Sequence, residues 1–332
     1  AWEEAGFGLS DDDAYSNGNP NVTDYSIVVA NLSSPNGYVF YGRSIQGGSN
    51  PGSGGPVSLA EASRFLQQAT MGADYEMIES VANSGYSSWI DSQMMIPATS
   101  HVARGLILPL PEGPYPQYAG IWWDVNITAQ DVLRQRVAFA LSEIFVIGQT
   151  TDLLEDINWG IATYYDILVN NAFGNYRDLL YAVTTNPAMG HYLSHVKNRP
   201  TDEANNIYPD ENYAREIKQL FSIGLWELNL DGTRRADPSG NDIPTYDNSN
   251  ITEFARVFTG LTYNPVNPNN GTPWYGEAGQ GGVENIDDYL GADPTWLGIE
   301  MAQFEPMHET GSKTLLYGES TNGTLRQDLD AA

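Results

Sequence analysis

The sequence contains no cysteine. That absence removes disulfide staples, thiolate nucleophiles and cysteine-ligated zinc together. Basic residues are scarce as well: 15 Lys and Arg stand against 42 Asp and Glu, for a net charge of −27. This balance argues against nucleic acid as a partner, because phosphate needs a basic patch. It disfavours an anionic membrane surface for the same reason. No apolar run approaches the about 18 residues of a membrane span. The longest, "VAFALSEIFVIG", is broken by Ser142 and Glu143 and reads as a core helix. Also missing are a G-x-S-x-G nucleophile elbow and a Gly-rich phosphate cradle. The chain opens "AWEEAGFG", without Met or an apolar leader, so it is expected to be processed or a fragment.

What is present is a globular composition. The 332 residues are 41% hydrophobic and 11% aromatic, enough for a sizeable core. Residues 1–57 differ from the rest. "DYSIVVANLSSPNGYVFYGRSI" alternates β-branched and aromatic residues around Pro-Asn-Gly, which predicts a β-hairpin. "QGGSNPGSGGPVS" follows as a linker, and a boundary is expected near residue 57. Residues 58–332 read as one helical domain. The fold class is therefore mainly α: a bundle-like helical core with a small N-terminal β-hairpin segment and long irregular loops.

The helices are announced by their ends. Ser58 with Glu61, and Thr128 with Asp131, have capping-box spacing. Asn175 precedes "YRDLLYAV", and Asn186 before Pro187 is an N-cap with proline at the first helical position. Asp210 opens "ENYAREIKQLFSI", which Gly224 stops, and Asn250 with Glu253 opens "ITEFARVFTG". Residues 262–295, rich in Asn, Gly and Pro, read as a long irregular excursion of the kind that carries function or disorder.

The helix expected over residues 130–147 has apolar residues on two opposite faces, which predicts a position inside a bundle. Arg136 and Glu143 share one of those faces about 10 Å apart, too far to pair directly. Each then needs a partner from another element, since an unpaired buried charge is costly. The segment "PDENYAREIKQLFSIG" can supply them. Ala214, Ile217, Leu220 and Phe221 form its expected core stripe, Glu211 and Arg215 are spaced i, i+4 on the opposite side, and Glu216 flanks the stripe. The cluster Arg136, Glu143, Glu211 and Arg215 reads as an ion-pair fastener, either at the surface or between helices, ahead of a chemical site.

Other candidates for chemistry are sparse. The four histidines are His101, His191, His195 and His308. His191 and His195 have the i, i+4 spacing of a helical metal pair, but without the Glu of the zinc-protease pattern they read first as surface or core-edge histidines. His308, near Glu309 and Lys313, reads as a residue that orients its loop or as a general acid/base, the latter with Glu211, Arg215 and Glu216 as companions. In "ELNLDGTRRAD", Glu227, Asn229, Asp231 and Asp237 resemble part of a calcium loop, although Pro238 stands at the closing position; an ordinary Asp-Gly turn fits as well. "DDDAYSNGN" offers a weaker calcium case. The aromatic stretches "YPQYAGIWWD" and "NGTPWYGEAG", expected in loops, can stack on sugar rings or simply pack.

Seven segments carry a family resemblance: "RFLQQATMG", "WIDSQM", "LRQRVAFALSEIFVIG", "NAFGNYRDLLYAVTTNPAMGHYLS", "DENYAREIKQLFSIGLWELNLDGT", "ARVFTGLTY" and "MHETGSKTLLYG" occur in that order. The chain closely resembles the bacterial "domain of unknown function" family numbered eighteen hundred over residues 59–332. The resemblance implies an exported, mostly helical bacterial protein, extracellular or at the cell surface, and implies no activity. It also implies a longer chain, cut here within the helix that opens "TLRQDLDAA". Two function classes follow. One is a non-enzymatic structural protein that self-associates, with calcium as its only candidate cofactor. The other is a secreted hydrolase or binding protein for polysaccharide or another surface polymer.

Overall fold

The computed structural model describes residues 25–30, 39–44, 55–108, 117–148, 158–264 and 299–332. The Pro-Asn-Gly turn, most of the linker, the "DDDAYSNGN" stretch, the "NGTPWYGEAG" stretch and nearly all of the irregular excursion lie outside these residues. The described chain is mainly α, with twelve α-helices and strands that pair only in twos. It divides into two compact units, residues 1–98 with 126–143, and residues 99–125 with 144–332.

In the first unit, β1 (Tyr25–Ala30) pairs antiparallel with β2 (Val39–Ser44), Tyr25 opposite Ser44 and Ala30 opposite Val39. Its helices are α1 (Leu59–Ala69), α2 (Tyr75–Ser84), α3 (Tyr86–Met95) and, from a later stretch, α6 (Val132–Ser142). The expected capping box forms at α1, with Ser58 and Glu61 each satisfying the other's backbone N–H. Ala62, Leu66, Val81, Ala82 and Trp89 make the core. Phe65 meets Trp89 edge-on at 5.4 Å between ring centres. Gln93 ties α3 to the start of α6, donating to the Gln130 carbonyl at 3.3 Å and accepting from the Leu133 N–H at 3.2 Å.

Helix α6 departs from expectation. It begins at Val132 with Asp131 as N-cap and no side-chain capping bond, because Thr128 ends the preceding helix α5 (Gln117–Thr128). Its buried positions are Gln135 and Ala138, Val137 and Phe139 are only half-buried, and Val146 beyond its end is 45% exposed. The helix is therefore not buried all round. The aromatic run "YPQYAGIWWD", expected in a loop, lies largely on α5. Tyr118, Ile121 and Val125 recur there at helical spacing and are buried, while Trp123 is 58% exposed.

The second unit contains α4 (His101–Gly105), α7 (Asn158–Asn170), α8 (Tyr176–Thr184), α9 (Pro187–Tyr192), α10 (Asn212–Gln219), α11 (Asn248–Val257) and α12 (Leu325–Ala331). On α7, Ala162, Tyr164, Tyr165, Leu168 and Val169 are buried, and the Tyr164 hydroxyl donates to the Phe145 carbonyl at 2.7 Å. Asp166 on the same helix receives the Ser100 hydroxyl at 2.5 Å and the His101 N–H at 2.6 Å, which holds α4 against α7. Asn175 and Asn186 cap α8 and α9 as expected. Helix α11 begins a turn earlier than expected, because Asp247 and Asn250 form its capping box. Two-residue ladders join β3 (Leu261–Thr262) to β4 (Ala302–Gln303) and β5 (Lys313–Thr314) to β6 (Ser320–Thr321). No described helix is long and apolar enough to cross a membrane.

The first unit's core gives a stability test. Leu66→Ala, at a fully buried position, lowers unfolding stability by about 2–5 kcal/mol. Leu59→Ala, on the same helix but 45% exposed, changes it by no more than about 0.5 kcal/mol in urea titrations.

Candidate functional site

A densely bonded polar cluster gathers His308, Lys313 and Asp328. Thr324 and Gln327 cap α12, and this places Asp328 in its first turn, facing inward. Asp328 and Lys313 are 0% exposed and His308 is 6% exposed. Oδ2 of Asp328 accepts from Lys313 Nζ at 2.6 Å and His308 Nε2 at 2.9 Å. Oδ1 accepts from the Thr321 hydroxyl at 2.6 Å and the Gly323 N–H at 2.8 Å. Burial alone raises the Asp328 carboxyl, but the bonds from Lys313, Thr321, His308 and Gly323 outweigh it and hold the group at about 2.

The partners are equally engaged. Lys313 Nζ also donates to the Glu309 carbonyl at 2.7 Å and the Gly311 carbonyl at 3.3 Å. Nδ1 of His308 donates to the Thr259 carbonyl at 2.9 Å. Both ring nitrogens thus face oxygens, Nδ1 a carbonyl and Nε2 a carboxylate. Gly260 permits this approach. Its φ is +87°, and a Cβ there would lie 2.8 Å from Leu325 Cδ1 and 3.1 Å from the His308 backbone nitrogen. Arg256 on α11 closes the far side, pairing with Glu253 at 2.8 Å and donating to the Ser312 and Thr310 carbonyls. The cluster is a clamp that fixes residues 308–314 between α11 and α12.

Helix α10 holds the other expected site residues. Glu211 and Arg215 form an i, i+4 pair at 3.4 Å, 42% and 35% exposed at Arg215 and Glu211, and Glu211 also accepts from the Thr252 hydroxyl at 2.8 Å. Oε2 of Glu216 is buried and has no hydrogen-bond partner among the described residues. Leu220, expected in the core, is 61% exposed, because α10 ends at Gln219 and the chain turns away there. Tyr213, Ala214, Ile217 and Phe221 supply the apolar face, together with Lys218, which is 2% exposed. Lys218 Nζ donates to the Ala214 carbonyl at 2.7 Å and lies 3.5 Å from the centre of the Phe254 ring. Arg136 and Glu143 belong to the first unit. Arg136 donates to the Gln68 carbonyl at 3.1 Å, and Glu143 is the exposed C-terminal cap of α6.

His191 and His195 do not share a helical face. Helix α9 ends at Tyr192, and Ser194 adopts a left-handed φ of 61° between them. His195 is fully buried, stacks on Tyr213 at 3.9 Å, and its Nε2 meets the Thr184 carbonyl at 2.8 Å. Burial pushes it down to about 4.

The calcium-loop candidates sit on a small arm over residues 225–245. Its three limbs close on one another: Glu227 N–H donates to Ile243, Ile243 N–H to Arg235, and Arg235 N–H to Glu227, at 2.8–3.0 Å. The Glu227 carboxylate pairs with Arg235 at 2.5 Å. Asn229 donates to the Thr233 hydroxyl, Asp231 accepts from the Thr233 N–H, and Asp237 accepts from the Ser239 and Asn241 N–H groups. These are turn-forming bonds. Among the described residues no three His, Asp or Glu side chains converge at metal-ligating spacing.

Sequence reasoning named His308 but missed Asp328 and Lys218. Nothing local marks Asp328 as the partner of residues 15 and 20 positions away. Lys218 carried a signal: it stands four residues from Ala214 and three from Phe221, on the apolar stripe itself.

Two outcomes follow from these contacts. Asp328→Asn strands Lys313 and lowers the second unit's stability by about 3–5 kcal/mol in denaturant titration. For His195, the unfolded ring takes a proton near 6.5 and the folded one only near 4, so stability declines as pH falls between those values. Thermal melts across that window show the decline in the wild type and a shallower one in His195→Phe.

A family model described as a protein of unknown function, DUF1800, matches residues 64–332. No curated protein and no solved structure matches the chain.

Proposed function

Starting from the premise that the chain belongs to the DUF1800 family, we propose that it is a non-enzymatic structural protein of the bacterial surface whose copies associate through the 225–245 arm. The exposed leucines of that arm carry the reading. Leu225, Leu228 and Leu230 are 48%, 56% and 82% exposed on one short, internally closed element. Apolar side chains held out on a bonded backbone contribute contact area without an ordering cost at the moment of association. The clamp around Asp328 supports the same reading, because all of its strong donors and acceptors face one another.

Net charge sets the conditions. Copies carrying −27 repel at low salt, so association strengthens as ionic strength screens them. Sedimentation velocity of the wild type shows larger species as salt and protein concentration rise, and Leu228→Asp with Leu230→Asp returns the chain to monomer. A wild type that stays monomeric at every salt and concentration overturns the proposal.

A further inference from the structure

Between β6 and α12 the chain turns through Asn322 and Gly323, and the donors to one oxygen of Asp328 stand on either side of Asn322. The Thr321 hydroxyl reaches Oδ1 at 2.6 Å, and the Gly323 N–H reaches it at 2.8 Å. Asn322 itself is exposed, and its side-chain amide makes no hydrogen bond among the described residues. The position after it requires glycine. A Cβ on Gly323 would lie 2.6 Å from Gln327 Cβ, and Gln327 is fixed by the capping box of α12.

Asn followed by Gly is the step at which a side-chain amide is lost most readily, because a glycine nitrogen with no Cβ beside it approaches the asparagine Cγ freely. In this turn the attacking nitrogen is occupied. Its N–H is given to a carboxylate with no exposed surface. Removing that proton in place would set a second anion against Asp328, which like charge opposes. The attack therefore waits until the N–H leaves the carboxylate.

We propose that Asn322 is a self-modification site guarded by the Asp328 clamp: it reacts only when the turn opens, and its isoaspartyl product cannot rebuild the clamp. A base in solvent takes the Gly323 proton, the nitrogen forms a bond to Asn322 Cγ, and the Cγ–Nδ2 bond breaks. The amide nitrogen takes a proton from water and leaves as ammonia. Water then opens the five-membered imide at one of its two carbonyls. One opening leaves aspartate, and the other leaves isoaspartate, whose backbone runs through the former side chain. Isoaspartate lengthens the path between Thr321 and Gly323 by one carbon, so their two donors no longer fit one oxygen. No oxidant or reductant enters, and the reaction does not depend on association between copies.

Wild-type chain is incubated at mildly alkaline pH, native and in guanidinium, and deamidation at Asn322 is followed by peptide mass spectrometry. Native Asn322 is expected to react more than about tenfold slower than in the denatured chain, since only the open fraction is reactive. Thr321→Val removes one donor to Oδ1 and leaves the Asn-Gly step intact. Its expected rate is several-fold above wild type in the native state and equal to wild type in guanidinium, while Thr321→Ser, which keeps the hydroxyl, reacts as wild type. Equal rates in native and denatured wild type overturn the proposal, and that comparison needs no variant to fold. A folded Thr321→Val chain reacting at the wild-type native rate overturns the part assigned to the clamp. For the product, isoaspartyl chain is separated by ion exchange, and its Leu325 amide is expected to exchange faster with solvent. Protection equal to that of unmodified chain overturns the claim that the clamp stays broken.

Discussion

Removing a carboxylate from water is among the costlier steps in folding, and the C-terminal part of the second unit is arranged around one such removal. Asp328 has no exposed surface, and four donors converge on its two oxygens. Those donors come from the loop after β4, from β5, from β6 and from the turn into α12. None of these pieces is long enough to stand alone: the strands are two residues each and α12 is seven. Short elements gain little from their own hydrogen bonds. Their placement follows from the shared carboxylate and from Arg256, which ties the same loop to α11.

The two buried lysines show how differently one residue type is used in one fold. Lys313 exists to complete the clamp, and every proton it carries has an acceptor. Lys218 fills a place on the apolar stripe of α10, where its Nζ meets the Ala214 carbonyl and the faces of the Phe254 and Tyr246 rings. Both lysines are out of water, and among the described residues only Lys313 lies within salt-bridge reach of a carboxylate. Asp231 and Asp237 lie in turns, where backbone N–H groups satisfy the carboxylates locally.

Helix starts were legible where the signal was local. Ser58, Asn175 and Asn186 cap within three residues of themselves, so spacing alone reveals them. The same logic misplaced Asn250, because Asp247 supplies a competing cap one turn earlier, and it missed the break at Thr128. Periodicity overextended α6 and placed Leu220 inside, since an apolar residue near a helix end follows the chain's turn rather than the helix face. The mainly α class was readable from capping and spacing together. The clamp was not. His308 drew notice as a rare titratable residue, but its partners are set by tertiary return of the chain, which carries no signature at short range. The i, i+4 spacing of His191 and His195 does not put them on one helical face, because the helix ends at Tyr192 and Ser194 is left-handed, which spacing does not announce.

The Asp328 clamp, rather than local propensity, holds the C-terminal segment in place. Native-state hydrogen exchange tests it directly at the Gly323, Leu325 and Thr314 amides, which donate to Asp328, Glu305 and Glu253. If the clamp governs, these amides exchange together with the buried amides of α11, at the free energy of unfolding the second unit. Rapid, independent exchange at residues 313–331 while α11 stays protected would show α12 fraying on its own, and would contradict the account.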